Sequence, residues 1–431
     1  MMKTKKLIPI IILVLSTLSV YSQDYYLHCG SVLDVQTGKE IKAATIITSK
    51  NKIVKITDGY ITKQNPNDIE IDLKNKFILP GLIDMHVHIE SEQNPKSYAS
   101  KFTNNEADIA FEAARFAEIT LLAGFTTVRD LGGTGVNISL RNAINKGIAK
   151  GPRIYTAGKA IASTGGHADP TNGSNHQLMG DPGPHEGVVN SPEDGVKAVR
   201  ERYKEGADVI KITATGGVLS VAKSGKNPQF SIEEIKAITT TAKDYNMLTA
   251  AHAHGDEGMQ RAILGGIKTI EHGTFMSEET MELMKKYDAY LVPTITAGKE
   301  VALKAEVAGF YPDIVVPKAR EVGPQLQSTF AKAYKKGVKI AFGTDAGVYD
   351  HGKNGKEFGY MVEAGMPALA AIQSATITNA MLLGVSNEIG QIKPNFFADI
   401  VAVDENPLVN VKTLENIKFV MKNGVIYKNL F

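Results

Sequence analysis

The chain has one cysteine, Cys29, and no tryptophan in 431 residues. A single thiol excludes an internal disulfide, so stability must come from a packed core. By length there is enough chain for about two to three domains. Basic blocks interleaved with aromatics are missing, which argues against nucleic acid as a partner. Net charge is small as well. Without Lys3, Lys5 and Lys6 the 48 basic side chains become 45, against 46 acidic ones.

Long apolar runs are also scarce, and the main one stands at the start, in MMKTKKLIPIIILVLSTLSVYSQ. Three lysines precede the run 7–20, and Val20 and Ser22 put short side chains where a signal peptidase reads. Its 14 residues fall short of the roughly 20 that span a bilayer. We expect a signal peptide over residues 1–22, cleaved near Ser22, and a periplasmic or secreted protein with no stable membrane span in the mature chain. Cys29 lies outside any lipoprotein cleavage site.

What the chain does have is alternation at both ends and a repeating middle. Strand-like runs at 25–35, 44–48, 52–56 and 69–73 return only at 399–403, 417–421 and 425–428. They predict a small β-sandwich domain built from both termini, over 23–78 and 391–431. Between them, apolar β-branched runs occur at 77–86, 125–130, 153–157, 208–215, 248–254, 269–274, 290–296 and 339–345. Helical patterns separate them, such as 106–122, 232–245 and 278–287. Eight strands alternating with helices predict an α/β fold, a (β/α)8 TIM barrel over 79–390. A doubly wound sheet usually carries a glycine-rich phosphate loop after its first strand; here the first run ends in His86-Val87-His88.

Chemistry falls at the strand ends. His86 and His88 close the first run, His252 and His254 the fifth, His272 the sixth and Asp345 the eighth, while Lys211 sits in the apolar fourth. Residues two apart on a strand share a side, and strand C-termini of a barrel open onto one face. One such histidine alone is more often a hydrogen-bonded structural residue, and G-T-D-A-G alone could be a helix cap. The joint placement points to a metal site. His28 reads as structural, whereas His176, His185 and His351 lie in loops that could border a pocket.

Lys211 resists a plain explanation. An ammonium repels cations, but burial lowers a lysine pKa, and the neutral amine reacts with CO2 to give a carbamate suited to bridging two metals. The rival is an ion pair with Asp208, which strand alternation turns to the opposite side.

These residues resemble the amidohydrolase superfamily, within it the prolidase-like metallo-dipeptidases of Xaa-Pro or Xaa-Arg type. The resemblance rests on I-L-P-G-L-I-D-M-H-V-H, G-F-T-T-V-R-D, S-T-G-G-H-A-D-P-T-N-G, V-I-K-I-T-A-T-G-G, A-A-H-A-H-G, T-I-E-H-G-T, F-G-T-D-A-G and I-K-P-N-F-F-A-D-I-V-A-V-D-E-N-P-L. It spans nearly the whole mature chain and implies two divalent metal ions, zinc by preference. His86, His88 and Asp345 would hold one, His252 and His272 the other, with N6-carboxylysine at Lys211 as the bridge. Histidine and carboxylate ligands equally admit manganese, iron or cobalt. His254 is then a candidate substrate contact, and His167 the loop histidine that polarises the scissile carbonyl. Asp345 would shuttle the proton from water to the leaving nitrogen.

Two positions depart from relatives. Asn395 replaces a glycine, which asparagine's tolerance of left-handed backbone allows, and Asp350 replaces a frequent proline beside the pocket. The implied activity is hydrolysis of a dipeptide or N-acyl-amino acid as small-molecule substrate, with a homo-oligomer compatible. Alternatives are a cyclic amide such as an imidazolone, another N-acylated small molecule, or a non-catalytic metal or solute binder that kept the fold.

Overall fold

Period-two alternation gives strands at the two ends of the chain, and the mixed periods between give strands and helices in turn. The structure, a computed structural model, describes residues 23–431; the expected signal segment lies outside the described residues. Among the described residues, no helix is long and apolar enough to cross a membrane. The first strands are β1 (Asp24–Leu33), β2 (Glu40–Ser49), β3 (Lys52–Asp58) and β4 (Ile69–Pro80). The middle holds β5 (Leu82–Val87), β6 (Phe125–Asp130), β7 (Arg153–Thr156), β8 (Val209–Thr213), β9 (Leu248–Ala253), β10 (Thr269–His272), β11 (Tyr290–Val292) and β12 (Lys339–Ile340). The last are β13 (Ile400–Val403), β14 (Phe419–Lys422) and β15 (Val425–Asn429).

Strands from both ends join in one seven-stranded sheet, ordered β15-β14-β13-β4-β1-β2-β3. β4 is its centre, parallel to β1 on one side and antiparallel to β13 on the other. Two packed sheets are expected from the sequence; the structure has a single sheet that curls back on itself. Ile53 N donates to Phe396 O and Ala398 N to Asn51 O, each at 2.9 Å, which returns the β3 edge to the entry of β13. Curling lets the one sheet enclose its own core, including Leu27, Ile46, Ile53, Leu73, Ile400 and Phe419. Asn395, at this return, takes a φ of 72°, the left-handed conformation foreseen for it.

The middle strands are all parallel. β5, β6 and β7 form one sheet, and β8 to β12 another. Hydrogen bonds join the two sheets on both sides. Past β7, Ile161 N donates to Lys211 O at 2.8 Å and Thr213 N to Ile161 O at 3.0 Å. Past β12, Met85 N donates to Phe342 O at 2.9 Å and Asp345 N to His86 O at 2.7 Å. The strand C-termini therefore face one way.

Helices separate these strands. Glu106–Leu122 and Ile232–Asp244 each start on a reciprocal capping box, Asn105 with Asp108 and Ser231 with Glu234, which satisfies the free amides of a first turn. Two apolar runs end as strands sooner than alternation suggests. Thr294 turns left-handed at φ 52° and starts the helix Ile295–Lys304, and the segment after Ile340 follows β5 by irregular bonds. Residues 77–80 belong to β4, in the other sheet.

Candidate metal centre

The C-terminal ends of β5, β8, β9 and β10, with the turn after β12, converge on one cavity of about 580 Å³. Its lining includes His86, His88, Lys211, His252, His272 and Asp345, and also His167 and His254. All eight residues singled out in the sequence are thus in one place.

Asp84 fixes the first strand of the candidate site. Its buried carboxylate accepts from His86 N (3.0 Å), Thr344 N (3.1 Å), Thr344 Oγ1 (2.6 Å) and Asn354 Nδ2 (2.9 Å). This ties the end of β5 to the turn carrying Asp345. Asp345 Oδ1 then lies 3.3 Å from His86 Nε2 and 3.4 Å from His88 Nε2. Asp345 has a φ of 60° and His272 one of 72°. Non-glycine residues adopt that region at a cost, and it concentrates at functional sites.

Each imidazole has one nitrogen engaged away from the centre. His86 Nδ1 donates to Glu271 Oε2 at 2.9 Å, and His88 Nδ1 to Gly132 O at 2.8 Å. His272 Nδ1 meets Thr294 Oγ1 and His254 Nδ1 meets Thr274 Oγ1, both at 2.7 Å. His252 uses Nε2 instead, on Gly216 O at 3.1 Å. Such outer contacts orient ligand rings and set their tautomers. Burial first, then neighbouring charges, keep these rings neutral: His86, His252 and His272 fall well below the usual range, and His88 falls to about 4. A neutral imidazole is the form that ligates.

The donor set fits divalent cations. Ligand atoms of His86, His272 and Asp345 lie within 4.8 Å of one another, as do those of His252, His254 and His272. His86 Nε2 and Asp345 Oδ1 are buried without a hydrogen-bond partner. An orphaned buried polar atom is costly, and a cation between these groups would satisfy both. The grouping differs from the expected one in two ways: His272 belongs to both clusters, and His254 stands as near to its neighbours as His252 does.

Lys211 is buried in this centre. Burial lowers its amine to about 8, against the opposing pull of the Glu271 and Asp345 charges. Asp208 is not its partner, because that carboxylate pairs with Arg141 at 2.6 Å and accepts from Thr156 N at 2.9 Å. His167 stacks on His252 with ring centroids 4.3 Å apart; burial, chiefly, depresses it to about 3.

The remaining histidines stand apart from the cavity lining. His28 bonds to Ile61 O at 2.9 Å, a structural role. His351 is buried on Ser91 O and Phe116, His185 is exposed beside Glu186 and Glu205, and His176 is exposed. Asp350 turns to Lys353 and Lys304 rather than to the cavity.

Glu271 and Arg129 were not singled out in the sequence. Glu271 accepts from His86, from Arg129 Nη2 at 2.9 Å and from Thr269 Oγ1 at 2.5 Å, and both charged side chains are fully buried. Their signal was an arginine and a glutamate inside two apolar strand runs, G-F-T-T-V-R-D and T-I-E-H. Glu271→Gln is expected to destabilise the fold by about 3–5 kcal/mol, because it leaves Arg129 buried and unpaired. Urea unfolding tests this; a change below about 1 kcal/mol, the scale of an exposed pair, would show that the buried pair is not needed.

The Amidohydrolase family profile matches residues 77–428. Ochratoxinase of Aspergillus niger is 30% identical over 409 residues, covering 91% of this chain and 84% of that protein. The crystal structure of a Xaa-Pro dipeptidase with bound methionine in the active site is 51% identical, with TM-score 0.91 over 94% of this chain and 100% of that one. A prolidase complexed with N-methylphosphonate-L-proline is 31% identical, with TM-score 0.85 over 94% and 100%. The chain belongs to the amidohydrolase family, as a prolidase-like member and a hydrolase acting on carbon–nitrogen bonds.

Proposed function

We propose that the protein hydrolyses the amide bond of dipeptides or N-acyl-amino acids. The observation that carries this reading is the pair of buried, unpartnered ligand atoms, His86 Nε2 and Asp345 Oδ1, in a cavity that Lys211 also lines. In our reading His86, His88 and Asp345 would hold one divalent cation and His252 and His272 another, carbamylated Lys211 would be shared between them, and zinc would be the preferred metal. A lysine pKa near 8 supports the carbamate, since the neutral amine is the form that reacts with CO2. The two sheets, bonded at both seams, are read as a closed (β/α)8 barrel, and the location as periplasmic or secreted.

When bound, such a metal pair acidifies water and polarises a carbonyl. The chain's own groups do the rest. Asp345 takes the proton of the attacking water and returns it to the leaving nitrogen, which departs poorly unless protonated. Burial raises the Asp345 carboxyl above the usual carboxylate range, which favours a group that can accept a proton. His167, neutral and with a buried Nδ1 lacking a partner, offers an N–H to the developing oxyanion. The scaffold above β5 and β10 keeps these groups preorganised.

Gly217 controls His167 by lacking a side chain: a methyl there would overlap the imidazole ring. Gly217→Ala is expected to lower kcat about 10²-fold, the size of effect that small misplacements bring. Steady-state kinetics would detect it, and an unchanged kcat would remove His167 from the reaction.

Turnover of a dipeptide and N-acyl-amino-acid library by the mature protein, supplied with zinc and bicarbonate, tests the proposal. We expect hydrolysis of several members. Hydrolysis of an imidazolone alone would replace the substrate class, and full metal binding with no turnover would favour a non-catalytic binder.

A further inference from the structure

Beside the metal-ligating residues, the same cavity has a continuous apolar wall. Val218, Val301, Val322 and Leu326 are each buried and pack in one cluster, against which Val348 is also placed, and all five line the cavity. Val301 lies on the helix Ile295–Lys304, and Val322 and Leu326 lie on the helix Val316–Lys335. Val218 comes from the loop after β8.

The wall is rigid. The two helices meet through glycines, since a Cβ on Gly298 would overlap Leu326 and one on Gly323 would come within 2.5 Å of the Ala302 Cβ. The loop is clamped by Lys318, whose ammonium donates to Gly217 O (3.2 Å), Ser220 O (2.5 Å) and Ala222 O (2.8 Å). Three carbonyls satisfy that charge, so Lys318 is not left over for a substrate anion.

Charged side chains line the cavity elsewhere. Outside the metal-ligating set they are Glu106, Lys159 and Glu186, the last two paired at 2.6 Å. Lys159 follows β7 and Val301 follows β11, four strands apart in the bonded order of eight. Lys159 and Glu186 therefore sit across the centre from Val301, Val322 and Leu326, whereas Val218 follows the neighbouring β8 and Glu106 follows β5. A charged side chain pressed on the wall would lose its water and find no counter-ion, which is costly.

We infer that Val218, Val301, Val322, Leu326 and Val348 form a specificity pocket for a large neutral apolar side chain of the substrate, and that it rejects charged ones. The inference rests on the amide-hydrolase reading above. It goes further by naming which substrates within that class are used. No group on the wall can pair with an ammonium, a guanidinium or a carboxylate, whereas each added methylene of an aliphatic or aromatic side chain gains contact.

The test is a dipeptide panel in which each position in turn carries Leu, Met or Phe, then Ala, then Lys, Arg, Asp or Glu. For one of the two positions, kcat/KM for Leu, Met or Phe is expected to exceed that for any charged residue by about 100-fold or more. Charged residues used as well as leucine at both positions would overturn the inference and leave the amide-hydrolase reading standing. No turnover of any member would overturn both. Val301→Phe fills the pocket and is expected to lower the leucine-to-alanine ratio of kcat/KM about tenfold, the scale of one or two methylenes. Val322→Phe, from the second helix, should do the same. An unchanged ratio in both folded variants would show that the side chain binds elsewhere.

Discussion

Asp345→Asn is expected to lower kcat by about 10² to 10⁴-fold, the usual contribution of a positioned general acid–base group, while most of the metal stays bound. The amide keeps an oxygen at the position of Oδ1, which faces both His86 and His88 at 3.3 and 3.4 Å. It keeps the shape and a ligating atom. What it loses is the ability to take a proton from water and pass it on. The buried main-chain bonds that set the turn, Asp345 N to His86 O at 2.7 Å and Thr344 N to Asp84 at 3.1 Å, do not involve the changed group. The loss should therefore appear in turnover and not in folding. Metal analysis beside steady-state kinetics separates the two, and near-normal turnover would refute the shuttle.

The second large effect belongs to Lys211. Lys211→Ala is expected to weaken metal binding by at least about 100-fold, beyond the 10–100-fold typical of outer contacts to a metal, and to abolish most turnover. A small carboxylate such as acetate, supplied at high concentration, should restore part of it by standing where the carbamate would be. The intact mass of the native protein, measured under mild conditions, should exceed the sequence mass by one CO2, and that of the variant should not. Full metal content and turnover in Lys211→Ala would remove the bridge from the mechanism.

Much of this centre was legible in the sequence because its residues are out of character with their surroundings. A buried strand is an apolar run, so His86, Lys211, His252 and Asp345 stand out in theirs, and a shared end of parallel strands brings them together. Asp208 shows the same rule from the other side. Three residues from Lys211, an odd separation, it points outward to Arg141, as the period of two requires.

Other features depend on contacts that alternation cannot encode. Glu271 and His272 are adjacent, so a regular strand would send them to opposite faces; the left-handed turn at His272 lets both serve the centre. The Glu271–Arg129 pair joins β10 to β6, strands that are not neighbours in either sheet. The curl of the terminal sheet rests on Asn51 and Ile53 meeting residues 396–398, a pairing more than three hundred residues apart. The apolar wall depends on the helix Val316–Lys335, which Pro317 and Pro324 disguise in the sequence.

The paired-cation centre itself is tested most directly by titrating metal-free mature protein with zinc in the presence of bicarbonate and following hydrolysis of one dipeptide. Activity should rise steeply until two equivalents per chain are bound, as a two-metal site requires, and should be lost again on chelation. Full activity at one equivalent, or activity that chelation leaves untouched, would contradict it.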